Sequence, residues 1–284
     1  MLTKNKMKSL NGNNIDILKI EKITREIRGK VLDLTYQAKC AHLASALSCI
    51  DILAILYWKI LKIDSKNIND PERDRFILSK GHAAMALYSI LNKKGILSSK
   101  ILDTFGKNGT TLAEHPDPRT PGVEVATGSL GHGFQFGIGM ALAAKIMNMK
   151  YKVVALMSDG ECNEGSVWEG AMFAPVHKLD NLIAIIDFNK WQATGRSTEI
   201  MSIQPLAKKW ESFGWKTYEI NGHDLEEIYN TFLEANKSKN SPVAIIANTV
   251  KGKGISFMED DNNWHYRIPN EEEVKKAKKE LGLI

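Results

Sequence analysis

Two short polar segments could hold a metal ion and an anionic ligand: Ser158-Asp159-Gly160-Glu161-Cys162-Asn163-Glu164-Gly165, and Asp187-Phe188-Asn189-Lys190-Trp191. Each follows an apolar run, and Asn189 lies thirty residues after Asp159, room for one crossover helix. If the runs are neighbouring parallel strands, the two side chains emerge together at their carboxyl ends, where open α/β sheets bind ligands. A carboxylate, an amide oxygen and a backbone carbonyl make a hard oxygen set suited to Mg²⁺ or Ca²⁺, with phosphate oxygens completing the shell. A diphosphate ligand is therefore implied. Gly160 allows close backbone approach, and a helix opening near Gly165 and Ser166 offers free N–H groups to the anion. The competing view is that Asp159 and Asn189 only cap and turn the chain. A P-loop is excluded, because Ser166 and Val167 stand where Lys and Ser/Thr are required after the second glycine.

The elements that must position these groups are readable from periodicity. Three continuous apolar runs, 153–157, 182–186 and 243–247, predict strands buried on both faces of a parallel sheet. Residues 75–78 and 216–220 are weaker strand candidates. Helical spacing covers 19–39, 49–60, 83–92, 134–147, 167–177, 225–235 and 271–281. With no internal repeat or low-complexity tract, the expected fold is a single α/β domain over 19–284, a doubly wound, mainly parallel sheet flanked by helices. Residues 1–18, with Asn11-Gly12-Asn13-Asn14, are expected to form a flexible lead-in. Pro116, Pro118 and Pro121 mark an irregular stretch able to line a site.

Composition narrows the function classes. The 38 basic and 33 acidic residues are interspersed, so the net charge of +5 marks no nucleic-acid-binding tail. Cys40, Cys49 and Cys162 form no CxxC pair, as expected of reduced thiols. No apolar run reaches the ~18 residues of a membrane span, and residues 1–14 carry no apolar signal core. The expected protein is soluble and cytoplasmic, with neither nucleic acid nor membrane as partner. The Thr127–Gly133 stretch imitates a dinucleotide fingerprint, but no buried strand precedes it.

With Asp-Gly followed by Asn about thirty residues on, the segments resemble the thiamine diphosphate motif, and the surroundings resemble transketolase from about Ile20 to His265. The resemblance implies thiamine diphosphate and Mg²⁺, which Ca²⁺ or Mn²⁺ could replace, with Asp159, Asn189 and the Trp191 carbonyl as metal ligands and Gly160 on the diphosphate. Ser158 replaces the family's usual first glycine. Ala41-His42-Leu43, Ser79-Lys80-Gly81-His82 and Glu114-His115-Pro116 resemble three transketolase histidine motifs, although the first commonly has Gly before the His. His265 follows the Lys251-Gly252-Lys253-Gly254 turn as a late family histidine does. The resemblance implies that His42, His115 and His265 surround the reactive carbon and donor ketose, and that His82 and His265 approach the diphosphate. Such roles suit imidazole, which donates to oxygens and exchanges protons near neutrality. His132, His177 and His223 receive no catalytic role, and Lys251–Gly254 is either a solvated basic turn or a phosphate-side loop.

Gly128-Ser129-Leu130-Gly131 resembles the family's Gly-Pro-Leu-Gly segment, which implies that residues 128–130 lie against the aminopyrimidine. Glu164 and Glu169 resemble the acidic residues placed at the subunit interface, Glu164 thereby joining the catalytic set. A full transketolase continues into pyrimidine-binding and C-terminal domains, and the former carries the glutamate that activates the cofactor. The resemblance therefore implies a split enzyme, this chain with a separate C-terminal subunit in an α₂β₂ assembly. Xylulose 5-phosphate with ribose 5-phosphate or erythrose 4-phosphate is the default substrate pair, and specialised ketoses are the variant. The rivals are a deoxyxylulose-phosphate synthase, a 2-oxoacid dehydrogenase α subunit, or a non-catalytic thiamine diphosphate-binding protein.

Overall fold

A computed structural model describes residues 16–63, 65, 66 and 68–284. The expected lead-in therefore lies outside the described residues up to residue 15. Helix α1 (Ile17–Ala38) begins inside its last positions, because the Asp16 side chain accepts from the Lys19 N–H and caps the first turn.

The chain continues through α2 (Leu43–Leu47), α3 (Ile50–Ile55), β1 (Arg75–Leu78), α4 (Ala84–Lys93), α5 (Ser99–Leu102), α6 (His132–Ile146), β2 (Val153–Ser158) and α7 (Gly165–Val176). It closes with β3 (Leu182–Phe188), α8 (Ser197–Ile200), α9 (Leu206–Ser212), β4 (Lys216–Asn221), α10 (Leu225–Ala235), β5 (Val243–Asn248) and α11 (Glu271–Glu280). Where periodicity predicts one helix over 49–60, α3 widens into a π-helical turn at Leu56–Ile60. The short helices α2, α5, α8 and α9 carry too few residues for periodicity to register.

All five strands are parallel, in the order β1-β2-β3-β5-β4. Alternate residues of the central strands enter opposite cores. Val154, Leu156, Ile183, Ile185, Val243 and Ile245 pack under α1, α3, α4 and α10, whereas Val153, Ala155, Met157, Ala184 and Ile186 pack under α6, α7 and α9. Burial on both faces explains the continuous apolar runs. Edge strand β4 leaves most side chains at least partly exposed, which explains its weaker signal.

Because the strands are parallel, their carboxyl ends share one edge of the sheet. The loops after β1, β2, β3 and β5 begin there with Ser79-Lys80, Asp159-Gly160, Asn189-Lys190 and Thr249-Val250-Lys251.

Candidate active site

Pairing of β2 with β3 sets Ser158 opposite Asp187, so Asp159 and Asn189 leave adjacent strands as their spacing predicts. Asp159 is fully buried. Its Oδ2 accepts from the Lys190 N–H (3.0 Å) and the Ser197 hydroxyl (2.7 Å), while Oδ1 has no partner. Burial pushes this carboxyl up to about 6. Asn189, 3% exposed, accepts the Trp191 N–H on Oδ1 at 3.1 Å, bending the chain so that Trp191 follows directly around the site. A Cβ on Gly160 would stand 3.1 Å from the Gln192 side chain, so glycine keeps that side open.

These residues fit a metal–diphosphate group. An unpartnered buried carboxylate oxygen calls for a cation, since leaving it unpaired is costly. Among the described residues, no three His, Cys, Asp or Glu side chains cluster to hold a metal by themselves. One carboxylate with an amide and a carbonyl suits an ion that takes its remaining ligands from phosphates.

Beneath the loops runs an ion pair that the sequence reading missed. Lys80 and Asp187 are both fully buried and in direct contact. Lys80 also donates to the Ser45 carbonyl (2.9 Å), and Asp187 accepts from the Ser48 hydroxyl (2.6 Å) and from Thr249. Burial alone would lower the ammonium, but Asp187 outweighs it and holds Lys80 above its ordinary value. The pair ties β3 and the loops after β1 and β5 to the end of α2.

A second missed residue, Glu161, is also fully buried. It accepts from the Ser79 hydroxyl, the Gly131 N–H (2.9 Å) and the Ser158 N–H (3.4 Å), joining the 128–131 segment to the loop after β2. Burial pushes its carboxyl up to about 7. Ser158, which stands where the resembled motif has glycine, accepts from the Glu161 N–H on its hydroxyl at 3.2 Å. The substitution thus adds a contact to the loop and leaves Asp159 and Gly160 in place.

Four histidines separated by up to 223 positions converge above this floor. The ring centroid of His42 lies 5.0 Å from His265, 5.4 Å from His82 and 6.2 Å from His115, and His82 lies 6.0 Å from His265. Local backbone makes this possible: His42 adopts a left-handed conformation (φ 70°), and its N–H donates to the His265 carbonyl at 2.7 Å. Gly128 packs edge-on to His115, where a Cβ would come within 2.7 Å of the ring. Burial lowers His42, lowers His82 well below its ordinary value and lowers His265 to about 3, so all three are neutral at pH 7.

Lys251 belongs to this cluster. Its buried Nζ lies 2.8 Å from His265 Nδ1 and 2.6 Å from Asn262 Oδ1, and burial lowers the amine to about 7. The Lys251–Gly254 turn is therefore not a solvated basic turn at its first residue. Tyr266, exposed with its centroid 4.7 Å from His265, is a further aromatic that the sequence reading left aside. Ser129 is exposed and Leu130 half-buried, both on the loop held by Glu161. Glu164, exposed at the start of α7, shares no hydrogen bond or ring contact with the imidazoles among the described residues.

The match to a family model decides the relationship: residues 20–284 fit the model described as transketolase, thiamine diphosphate binding domain. The chain belongs to the transketolase family. It is 42% identical over 255 residues to one of the subunits of the apulose-4-phosphate transketolase of Phocaeicola vulgatus, covering 90% of this chain and 91% of that one. It is 42% identical over 263 residues to the 6-deoxy-6-sulfo-D-fructose transketolase subunit SqwG of a Clostridium species, covering 92% and 93%. Transketolase from Campylobacter jejuni superposes with a TM-score of 0.90 at 34% identity, over 94% of this chain but 43% of the longer one. The fold is therefore the thiamine diphosphate-binding fold of the transketolases. The chain matches nearly the full length of the two bacterial subunits and under half of the Campylobacter jejuni chain.

Proposed function

We propose that this chain is the diphosphate-binding subunit of a two-subunit transketolase, which transfers a two-carbon ketol unit from a ketose phosphate to an aldose phosphate. The observation that carries this is the unpartnered buried Oδ1 of Asp159, set beside Asn189 beneath four converging imidazoles. Asp159, Asn189 and the Trp191 carbonyl would hold Mg²⁺, and Gly160, His82 and Lys251 would receive the diphosphate. Thiamine diphosphate, when bound, supplies carbanion chemistry for the two-carbon transfer. Gly128, Ser129 and Leu130 would bound its aminopyrimidine.

The chain's own residues bind and move protons. Neutral His42 and His265, with His115, can donate to sugar hydroxyls and accept from them, the condition for proton exchange in both directions. The buried Lys80–Asp187 pair fixes the loops that carry these groups, so that they need little reorganisation when substrate arrives.

A separate C-terminal subunit would complete the site in an α₂β₂ assembly, supplying the pyrimidine side. Helices α6 and α7 support this, because they are apolar on the side away from the sheet as well as toward it. Phe136 (50% exposed) on α6 and Met172 (51%) and Val176 (78%) on α7 stand open, and Glu164 and Glu169 are exposed at the start and in the first half of α7. Large apolar side chains left exposed on two helices that pack together suit an interaction site, and Glu164 would act there, through the partner. The two high-coverage relatives are named for specialised ketoses, which makes such a donor the second reading beside xylulose 5-phosphate. Among the described residues no helix is long and apolar enough to cross a membrane; the three free, buried cysteines suit a reducing compartment, the cytoplasm.

Calorimetry of thiamine diphosphate with Mg²⁺ tests the site. Binding should require the metal and vanish in Asp159→Ala; unchanged affinity in that variant would remove Asp159 from the metal set.

A further inference from the structure

His223 lies outside the imidazole cluster, yet its ring makes two directed hydrogen bonds. Nε2 accepts the Val250 N–H at 2.8 Å, so the proton sits on Nδ1, which donates to Asp51 Oδ2 at 2.8 Å. Asp51 is 6% exposed and also accepts from both terminal guanidinium nitrogens of Arg28, at 3.0 and 2.7 Å. Arg28 then reaches the far end of the same turn, its Nε donating to the Lys253 carbonyl at 2.9 Å. The turn fits against this arginine only because residue 254 is glycine: at φ 95°, a Cβ there would come within 2.7 Å of the Arg28 side chain. Burial alone would raise the Asp51 carboxyl, but Arg28 and His223 outweigh it and hold it low, so the carboxylate stays charged between them.

From these contacts we infer that Arg28, Asp51 and His223 are positioning residues, a clamp that grips the Val250–Gly254 turn at both ends. By fixing the turn, the clamp holds Lys251 against His265 Nδ1, and an ammonium donating to that nitrogen leaves the His265 proton on Nε2. The clamp borders a separate surface cleft of about 660 Å³ that contains none of the four clustered histidines, and its contacts with the turn are the ones named above. Its effect on cofactor rests on the proposed role of Lys251 beside the diphosphate.

The test uses the full chain labelled with ¹⁵N-histidine, at pH 7.5, with and without thiamine diphosphate and Mg²⁺. His223 should show the Nδ1-protonated tautomer, and His265 in the loaded chain the Nε2-protonated one. Arg28→Met should mix the His265 tautomers and speed amide exchange of residues 250–254 about tenfold, while the central strands keep their protection. The same variant should lose about tenfold in cofactor affinity, a loss expected when a charge-assisted hydrogen bond is misplaced. His223→Gln, whose amide oxygen can accept from Val250, should stay within about threefold of the parent in each measure. His223 protonated on Nε2 in the parent chain would overturn the inference. So would unchanged exchange in Arg28→Met, or exchange that rises equally throughout the sheet. If tautomer and local exchange respond as stated but the parent chain binds no thiamine diphosphate, the clamp stands and the cofactor assignment falls.

Discussion

Asp159→Asn should stabilise the metal-free chain while destroying its metal site. Burial raises the Asp159 carboxyl from 3.8 to about 6, so the folded chain holds this proton more tightly than the unfolded chain does. For a carboxyl shifted upward, stability is greatest below the unfolded value and falls as pH rises through the folded one. At ~1.4 kcal/mol per unit, ionised Asp159 costs the fold ~3 kcal/mol at pH 8 and well under ~1 kcal/mol at pH 4. Asparagine removes the charge and keeps an oxygen for the Lys190 N–H and Ser197 hydroxyl, although its amide N–H₂ replaces an oxygen that already lacked a partner. That orphaned donor costs ~1 kcal/mol, leaving a net gain of ~2 kcal/mol at pH 8 that disappears by pH 4. Urea unfolding in chelator at the two pH values measures it. A variant destabilised more at pH 8 than at pH 4 would refute the argument that Asp159 is a strained, unpaired anion awaiting a cation.

Three further outcomes follow from named contacts. His115→Ala should leave thiamine diphosphate affinity nearly intact and lower ketol transfer by about 10²-fold, in the range for a lost proton-transfer group, when assayed in the assembled enzyme. Lys80→Met strands the Asp187 carboxylate without its ion partner and should cost ~3–5 kcal/mol in urea unfolding, because a lone buried charge is left behind. Ser158→Gly removes the hydroxyl that accepts from the Glu161 N–H, so calorimetry should show metal-dependent cofactor binding retained while unfolding shows a loss of ~1 kcal/mol.

The central sheet was legible because strands buried on both faces have no polar side to interrupt them, as in 153–157 and 182–186. The juxtaposition of Asp159 with Asn189 was legible for a related reason: one crossover helix separates them, and parallel neighbours put both at the same edge. The imidazole cluster was not derivable in that way. Residues 42, 82, 115 and 265 come together through four separate loops, and only the resemblance of their flanking residues to transketolase motifs anticipated it. Lys80 and Glu161 were passed over because a charged residue in sequence reads as solvated, and Lys251 was left between a solvated turn and a phosphate-side loop; their burial depends on partners far along the chain, such as Asp187 for Lys80. The near-uniform apolarity of α6 and α7 leaves Phe136, Met172 and Val176 exposed, and periodicity alone could not say what would cover them. His223, which was read as outside the catalytic set, has Asp51 and the Val250 amide as its partners.

The most direct measurement is two-carbon transfer from xylulose 5-phosphate to ribose 5-phosphate, with thiamine diphosphate and Mg²⁺, by the purified chain and by its complex with the partner subunit. The complex should transfer the unit and the chain alone should bind cofactor without turnover. Transfer by the chain alone would contradict the claim that its active site is completed by a second subunit.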